Sequence, residues 1–313
     1  MATPALSVPD VVRRKALAQG DAGRDWLDSL PTLVDRLACE WGLEPSDVLA
    51  GGTEALVIGA GRIGPREAVL KIPPPYVDPR RSELRTLLAG DGRGYAEVLA
   101  HDQATGAMLL ERLGPTLRDL GLPVHEQIEI ICQTLREAWR MPPPGQVFMT
   151  GAEKAKALMQ MIEVDWLELG RPCARRTVDL ALAFAAERRQ AFDCNGAVLA
   201  HGDPHAWNAL LLPGPGPRRF KLVDPDGIFV EPAYDLAIPM REWSAQLLAG
   251  DPAALGLARC RQLSGLTGIA PGPIWRWGFV ERVATGLLCV GVGLKGGRDM
   301  LAVADAWAGA EPP

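Results

Sequence analysis

The chain has 313 residues, of which 48% are hydrophobic and 23% are charged, and its formal net charge is −5. This length suits two lobes or domains, and the composition is that of an ordinary globular protein. The acidic balance argues against a nucleic-acid partner, for which a basic patch is typical. The N-terminus lacks an apolar signal-peptide core and no apolar run is long enough to cross a bilayer, so we expect a cytoplasmic protein without a membrane partner.

The first predicted elements form a small β-rich lobe. Residues 11–41 carry apolar side chains at helical spacing and predict one or two amphipathic helices. Apolar runs at 55–58 and 68–72 flank a glycine-rich stretch at 59–64, which predicts a β-hairpin that turns in that stretch. A helix is expected to begin near Pro79, and two further strands are expected at 97–100 and 107–113.

Helical patterns dominate the chain after this point. They predict helices at 124–140, 151–169, 174–192, 252–265, 273–292 and 297–308. Residues 197–224 interrupt these helices with short strands and a loop rich in Pro and Gly at 213–217. We therefore predict an α+β protein of two lobes, with residues 1–113 in the small β-rich lobe and residues 114–313 in the large helical lobe.

A set of polar residues falls within the strand-rich interruption. His201-Gly202-Asp203 is followed by Asn208, five positions after the acid, and Asp224 ends a later apolar strand. This order of acid, amide and second acid is typical of a kinase-type phosphotransfer site. Asp203 is predicted to orient the acceptor hydroxyl and accept its proton, while Asn208 and Asp224 supply the hard oxygen ligands that Mg²⁺ prefers. A capping acid, a turn amide and an unrelated strand-end acid are the alternative, but the ordered set between strands favours phosphotransfer.

A lysine and a glutamate in the small lobe extend this interpretation. Lys71 lies at the end of an apolar strand, and Glu83 lies on the helix predicted to follow. In kinase-like sites such a lysine binds the α- and β-phosphates, and a carboxylate fixes its direction. A strand-edge lysine and a solvated glutamate are the alternative for this pair.

A glycine-rich segment precedes the predicted hairpin. Gly51, Gly52 and Thr53 would let backbone N–H groups approach phosphates, although they match neither of the usual phosphate-loop patterns. The glycines at 59–64 could serve the same purpose, but they lie at the far end of the hairpin. Position along the chain therefore favours the earlier segment.

With these motifs the chain resembles the aminoglycoside phosphotransferase family of the kinase-like fold, in which Gly replaces the Arg of the protein-kinase H-R-D. The segments D-P-D-G at 224–227 and E-P-A-Y-D-L-A at 231–237 look most like the corresponding motifs of the streptomycin 6-phosphotransferases and hydroxyurea-resistance kinases. The resemblance covers about residues 198–240 and extends to 51–113. It implies a two-lobed protein-kinase-like fold that binds a nucleotide in the crevice between its lobes.

The resemblance also implies roles for residues around this crevice. Glu111 and Leu113 would form the interlobe hinge, whose backbone groups recognise adenine. Asp235 would support the catalytic loop from beneath, although a helix N-cap is the alternative. His201 is predicted to be structural, since the acid two residues later takes the role of the base. His205 is expected to face solvent.

We therefore predict an enzyme that uses ATP and Mg²⁺ to phosphorylate a hydroxyl of a small cationic molecule. An aminoglycoside of the streptomycin type is the first candidate for this acceptor. Asp226, at a position that is often basic in the relatives, and Glu231 are expected to bind its cationic groups.

Two alternatives remain open at this stage. One is a metabolite kinase that acts on a sugar, choline or an amino-alcohol. The other is a nucleotide-binding pseudokinase that acts as a regulator, against which the joint presence of Lys71, Asp203, Asn208 and Asp224 argues. No feature of the sequence calls for an obligate protein partner.

Overall fold

A computed structural model of the chain describes residues 6–49, 54–75, 83–143 and 145–313. Its first part, which we call the small lobe, ends at Glu111. It contains α1 (Asp10–Leu17), α2 (Asp21–Trp41), β1 (Leu56–Ile63), β2 (Arg66–Ile72), α3 (Glu83–Gly90), β3 (Val98–His101) and β4 (Met108–Glu111). The strands form one antiparallel sheet in the order β1-β2-β4-β3.

Strand β1 continues through the glycine-rich stretch where the sequence predicted a turn. It pairs with β2 as far as Ile63, which lies opposite Arg66, so the chain reverses after residue 63. The glycines serve a β-bulge instead, because the register shifts between Gly59 and Arg62 and Gly61 has a φ of +74°. A Cβ on Gly59 would also lie 2.3 Å from the Ser46 hydroxyl oxygen. The predicted hairpin is present, but its turn is confined to Gly64 and Pro65 and does not begin at Gly59, because the earlier glycines permit close packing and a bulge.

The two faces of this sheet have different partners. Alternate residues of β2 and β4, including Leu70, Ile72 and Leu109, are buried in a core shared with α1 and α2. The residues between them, including Lys71 and Met108, line a cleft on the opposite face. Because successive side chains of a strand point to opposite faces, the burial of Leu70 and Ile72 turns Lys71 into the cleft.

The rest of the chain, which we call the large lobe, is mainly helical. It contains α4 (Val124–Ala138), β5 (Met149–Thr150), α5 (Gly151–Glu168), α6 (Arg175–Gln190), β6 (Val198–Ala200), β7 (Ala209–Leu211), β8 (Phe220–Leu222), β9 (Ile228–Val230), α7 (Ala233–Arg241), α8 (Ser244–Leu248), α9 (Pro252–Thr267), α10 (Pro271–Gly291) and α11 (Gly297–Trp307). The predicted helices occur within a few residues of their expected bounds. The sequence did not predict β5, β9, α7 or α8.

Short strands and one central helix hold the large lobe together. Strands β5, β9 and β6 form one sheet, and β7 pairs with β8 in a hairpin. Helix α10 packs against α5, α6, α7, α9 and α11, and most of its residues are buried. Two of its buried residues, Glu281 and Arg282, are charged and lie near the end of α7. Across the described residues, each helix falls short of the length or apolar character that membrane crossing demands.

Candidate active site

The catalytic loop runs from the end of β6 to the start of β7. Its second residue, Gly202, has a φ of +96°, in the left-handed region that favours glycine. A Cβ at this position would lie 2.6 Å from the Cβ of Asp226. Both observations exclude a larger residue, which explains why glycine stands between His201 and Asp203.

Asp235 holds the start of this loop from below. The carboxylate is completely buried, and its oxygens accept hydrogen bonds from the backbone N–H groups of His201, at 3.0 Å, and Gly202, at 2.7 Å. The indole N–H of Trp139 donates a third bond at 2.8 Å. Burial raises the pKa of Asp235, although these donors oppose the effect. Asp235 lies within α7, whose N-cap is Pro232, so the alternative role as an N-cap does not apply.

Both ring nitrogens of His201 are used within the protein. Nε2 donates to the carbonyl oxygen of Val223 at 2.8 Å, and Nδ1 accepts from the backbone N–H of Asp203 at 3.1 Å. The ring also stacks on Tyr95, with centroids 6.0 Å apart. His201 therefore ties the catalytic loop to the strand that leads to Asp224, and neither nitrogen is left for a reaction.

Asp203 projects from the loop into a pair of basic side chains. Nη2 of Arg241 lies 2.7 Å from Oδ1, and Nε2 of His205 lies 3.4 Å from Oδ2. Burial raises the pKa of Asp203, but the Arg241 charge and the His205 hydrogen bond outweigh it and hold the pKa well below its usual range. The same carboxylate raises the pKa of His205 against the effect of burial. Asp203 is therefore ionised at neutral pH.

Asn208 lies at the other end of the loop. Its side-chain N–H donates to the backbone carbonyl of Asp203 at 3.1 Å, and its backbone carbonyl accepts from Val223 at 2.9 Å. The amide oxygen of the side chain makes no hydrogen bond among the described residues. These contacts fix the side chain and leave one oxygen available as a ligand.

Asp224 forms a second charged group with two residues of the small lobe. The Lys71 ammonium contacts the Asp224 carboxylate and lies 2.7 Å from Oε1 of Glu83. Asp224 has a φ of +56°, an unusual backbone conformation for a residue with a side chain, and its side chain is 51% exposed. Burial and the Asp224 charge raise the pKa of Glu83 despite Lys71, whereas the Lys71 charge outweighs burial and lowers the pKa of Asp224. The single ammonium thus bridges the lobes through two carboxylates.

These groups open into a cleft of about 3060 Å³ between the lobes. At its inner edge, the Glu111 carboxylate pairs with Lys221 and accepts from the backbone N–H of Glu97 at 2.8 Å. The backbone N–H of Glu111 donates to the Glu97 carbonyl at 3.0 Å. Of the two backbone groups of Glu111, the carbonyl is therefore the one that could contact a nucleotide. The N–H of Leu113 has no acceptor among the described residues. The predicted phosphate segment, Gly51, Gly52 and Thr53, lies outside the described residues.

The two acidic residues predicted to bind substrate have different surroundings. Asp226 lines the interlobe cleft. Glu231 does not line it, because its carboxylate accepts from the Trp277 indole at 2.9 Å and pairs with Arg188 at 3.3 Å. The hypothesis of a substrate contact for Glu231 is corrected accordingly: the residue joins α6, α10 and the segment after β9.

Sequence reasoning missed three residues beside the catalytic loop. Arg241 lies in the last turn of α7, which the sequence did not predict, and its pairing with Asp203 leaves no local pattern. His205 is half-buried against Asp203, so the expectation that it faces solvent was wrong. Trp207 lines the cleft and is 55% exposed, whereas the other tryptophans are buried or half-buried. Its position directly before Asn208 was the available signal.

Comparison with known proteins agrees with this geometry. A family model described as aminoglycoside/hydroxyurea antibiotic resistance kinase matches residues 40–264. A streptomycin 6-kinase from Streptomyces glaucescens is 28% identical over 228 residues, which are 71% of this chain and 70% of that protein. A hydroxyurea phosphotransferase from Kitasatospora aureofaciens is 29% identical over 231 residues, which are 69% of this chain and 62% of that protein.

Among solved structures, an aminoglycoside phosphotransferase from Streptomyces rimosus, in complex with ADP and streptomycin, has a TM-score of 0.52 at 17% identity. The match covers 82% of this chain and 98% of that one. This likeness shows the fold, which is the two-lobed protein-kinase-like fold.

Proposed function

This chain belongs to the aminoglycoside/hydroxyurea antibiotic resistance kinase family and is a small-molecule phosphotransferase, and we propose that it transfers the terminal phosphoryl group of ATP to a hydroxyl of a streptomycin-type aminoglycoside. The observation that carries this proposal is the meeting of Asp203, Asn208 and Asp224 at one edge of the cleft that Lys71 enters. Phosphoryl transfer requires positioning and charge stabilisation more than covalent help, and these residues supply both.

The nucleotide would bind with its phosphates at Lys71. Glu83 fixes the direction of the ammonium group, so that it stays in the cleft when phosphates compete for it. At the hinge, the carbonyl of Glu111 and the N–H of Leu113 are the backbone groups that would recognise adenine. Apolar side chains on both sides of this position, including Val69 and Leu210, line the cleft and suit a flat base.

Asn208 and Asp224 form a donor set that fits a magnesium ion. The amide oxygen of Asn208 accepts no hydrogen bond from the described residues, and the side chain of Asp224 is 51% exposed. Mg²⁺ prefers hard oxygen ligands and is usually held by one or two carboxylates together with substrate phosphates. When bound, the ion would neutralise charge on the phosphates of the nucleotide.

Asp203 would act on the acceptor hydroxyl through Oδ2, because Oδ1 is held by Arg241. In the reaction the hydroxyl oxygen bonds to the terminal phosphorus, the bond from that phosphorus to ADP breaks, and the hydroxyl proton passes to Asp203. An ionised carboxylate with a lowered pKa orients the hydroxyl well but takes its proton late. This order suits the loose transition state of phosphoryl transfer.

The acceptor is proposed to be cationic. Asp226 lines the cleft two positions beyond Asp224 and packs against Gly202 of the catalytic loop. Guanidinium groups of a streptomycin-type molecule pair well with such carboxylates, which match their planar arrangement of donors. The 28% identity to a streptomycin 6-kinase supports the same acceptor class.

The test is direct phosphorylation of a panel of acceptors. Purified protein would be incubated with Mg-ATP and streptomycin, other aminoglycosides, hydroxyurea, choline or ethanolamine, and product would be detected by mass spectrometry as the gain of one phosphoryl group. Asp203→Asn is the matched control for contaminating kinases. Transfer to streptomycin that the control lacks is the expected result, and transfer only to choline or ethanolamine would reject the aminoglycoside proposal.

Hydroxyurea is the second candidate acceptor. A hydroxyurea phosphotransferase is 29% identical to this chain, which is as similar as the streptomycin 6-kinase. Hydroxyurea is small and uncharged, so its binding would owe little to Asp226. Measuring competition between the two acceptors at low and at high salt would therefore distinguish them. Added salt should weaken the binding of the cationic acceptor and leave that of hydroxyurea unchanged.

A further inference from the structure

Arg241 is unusual for a basic residue at the end of a helix, because its guanidinium is buried and each of its nitrogens has a polar partner. Its side chain is 10% exposed. Nη2 contacts Asp203 at 2.7 Å, Nε contacts Glu242 at 3.2 Å, and Nη1 lies 3.4 Å from the Thr285 hydroxyl. Glu281, itself buried, adds a carboxylate at 3.5 Å from Nη1. Each nitrogen of the guanidinium thus has a partner, and the group has one available orientation.

The supports of Arg241 are themselves fixed. Glu281 accepts from the hydroxyl of Tyr234, which is completely buried. The backbone at the end of α7 is bound by a second arginine, Arg282, which donates to the carbonyl of Met240 at 2.6 Å. A buried cation is retained only where carboxylates and hydrogen bonds compensate for lost hydration. The whole cluster therefore behaves as a rigid frame behind the catalytic loop.

This frame contacts Asp203 at one oxygen only. Arg241 reaches Oδ1 with a single nitrogen, although its planar fork could bind both oxygens of a carboxylate. Among the described residues, the one contact of Oδ2 is with Nε2 of His205 at 3.4 Å, which is long for a hydrogen bond. The arrangement thus occupies Oδ1 and leaves Oδ2 with one long contact on a residue that lines the cleft.

We propose that Arg241 is a positioning residue for the transfer step: it holds Oδ1 of Asp203 so that Oδ2 is presented to the acceptor hydroxyl. The inference rests on the proposed function, in which Asp203 acts on that hydroxyl. It accounts for the one-sided contact, which a purely structural salt bridge does not require. It also separates Arg241 from nucleotide binding, because no described residue of its frame contacts Lys71 or Asp224.

The experiment compares Arg241→Met, which keeps the stem and removes the charge, with Arg241→Lys, which keeps the charge and removes the fork. Arg188→Met is the matched control, since Arg188 on α6 is buried to a similar degree and pairs with the carboxylates of Glu187 and Glu231, outside the frame and without reaching Asp203. For each variant, kcat, both KM values, Mg-ATP affinity and thermal midpoint would be measured.

We expect Arg241→Met to lower kcat by about 10- to 100-fold, the scale of a small misplacement of a catalytic group, with little change in Mg-ATP affinity. Arg241→Lys should recover part of the loss. Arg188→Met should lower the thermal midpoint to a similar degree while kcat stays within a few fold. Losses of kcat that follow the thermal midpoint in both arginine variants would overturn the proposal.

A double variant provides a test that does not depend on the fold alone. In an Asp203→Asn background no carboxylate remains to be positioned, so adding Arg241→Met should lower single-turnover transfer no further. An additional loss would mean a structural role. If Arg241→Met does not fold, Arg241→Lys replaces it in both comparisons.

The outcome is separable from failure of the proposed acceptor. If no acceptor of the panel is phosphorylated, the proposed function fails, but slow hydrolysis of Mg-ATP still uses water as an acceptor that Asp203 would orient. The same pattern among the arginine variants is expected for that hydrolysis. Equal hydrolysis by wild type and Arg241→Met would reject the positioning role even then.

Discussion

The two carboxylates at the centre of the proposed site, Asp203 and Asp224, each pair with a basic side chain, but the pairs are built differently. Lys71 comes from the other lobe, and the Asp224 side chain that it contacts is 51% exposed. Arg241 comes from the same lobe as Asp203 and is enclosed by further carboxylates. The first pair can be opened by phosphates and a cation in the cleft, whereas the second is part of the framework. One carboxylate is thus kept for exchange of partners and the other for a fixed direction.

The largest effect is expected at Asp203. Replacement by Asn keeps the shape but removes the carboxylate that we propose takes the hydroxyl proton, a role worth roughly 10²- to 10⁴-fold in rate. Affinity for Mg-ATP should remain close to that of the wild type, because the proposed partner of Asp203 is the acceptor and not the nucleotide. Turnover and nucleotide binding measured on one preparation would check this. A variant that phosphorylates its acceptor at the wild-type rate would reject the assignment.

Changes at the pair of Asp224 and Lys71 should have the opposite effect and weaken nucleotide binding. Asp224→Ala removes a full charge from a hard-cation site, and we expect the affinity for ATP at fixed Mg²⁺ to fall by about tenfold or more. Asn208→Ala should weaken it less. Calorimetric titration of ATP at several Mg²⁺ concentrations measures both. An unchanged magnesium requirement in the two variants would place the ion at other ligands.

A smaller effect is expected at Asp226, outside both pairs. Asp226→Asn should raise KM for a cationic acceptor by about fivefold, the value of a partly exposed charge pair of ~1 kcal/mol, and leave KM for ATP unchanged. The wild-type affinity for that acceptor should also weaken with added salt. A change confined to the nucleotide or magnesium parameters would assign Asp226 to the metal side of the site.

The smallest effect concerns Glu83, which shares Lys71 with Asp224. Burial raises the pKa of Glu83 to about 7, so the folded protein binds its proton more tightly than the unfolded chain does. The contribution of this group to stability therefore falls as pH rises between its ordinary pKa and 7. In the absence of nucleotide, the thermal midpoint of the wild type should therefore fall relative to that of Glu83→Gln as the pH rises from 5 to 8. A constant difference across that range would contradict the raised pKa of Glu83.

Local signals were enough to predict most of the large lobe. Thr150 and Glu153 form a capping box at the start of α5, and Asp251 caps α9 directly before Pro252. Strands β5 and β9 have two and three residues, which is too short for any alternation to appear. The glycines of β1 misled the prediction because a bulge and a turn use the same residue type.

Some residues of the candidate site could likewise be predicted from local signals in the sequence, and others could not. Asp203, Asn208 and Asp224 were recognisable because their order along the chain follows from their chemistry. The partner of Asp203 was not, since Arg241 is 38 residues away and looks like a basic residue that favours a helix C-terminus. Which of the two acidic residues reaches the cleft was equally hidden, because Glu231 is held by Trp277 and Arg188 from helices distant in the sequence.

Trp207 gives the cleft an optical reporter of its own. Of the nine tryptophans, all of which the structure describes, Trp207 alone is exposed, and it stands directly before Asn208. Its fluorescence is therefore the first that a water-soluble quencher such as acrylamide should reach. Any molecule that covers the catalytic loop would shield this indole and shift its emission to shorter wavelength. Occupancy of the cleft could thus be followed in real time without a label or a coupled reaction.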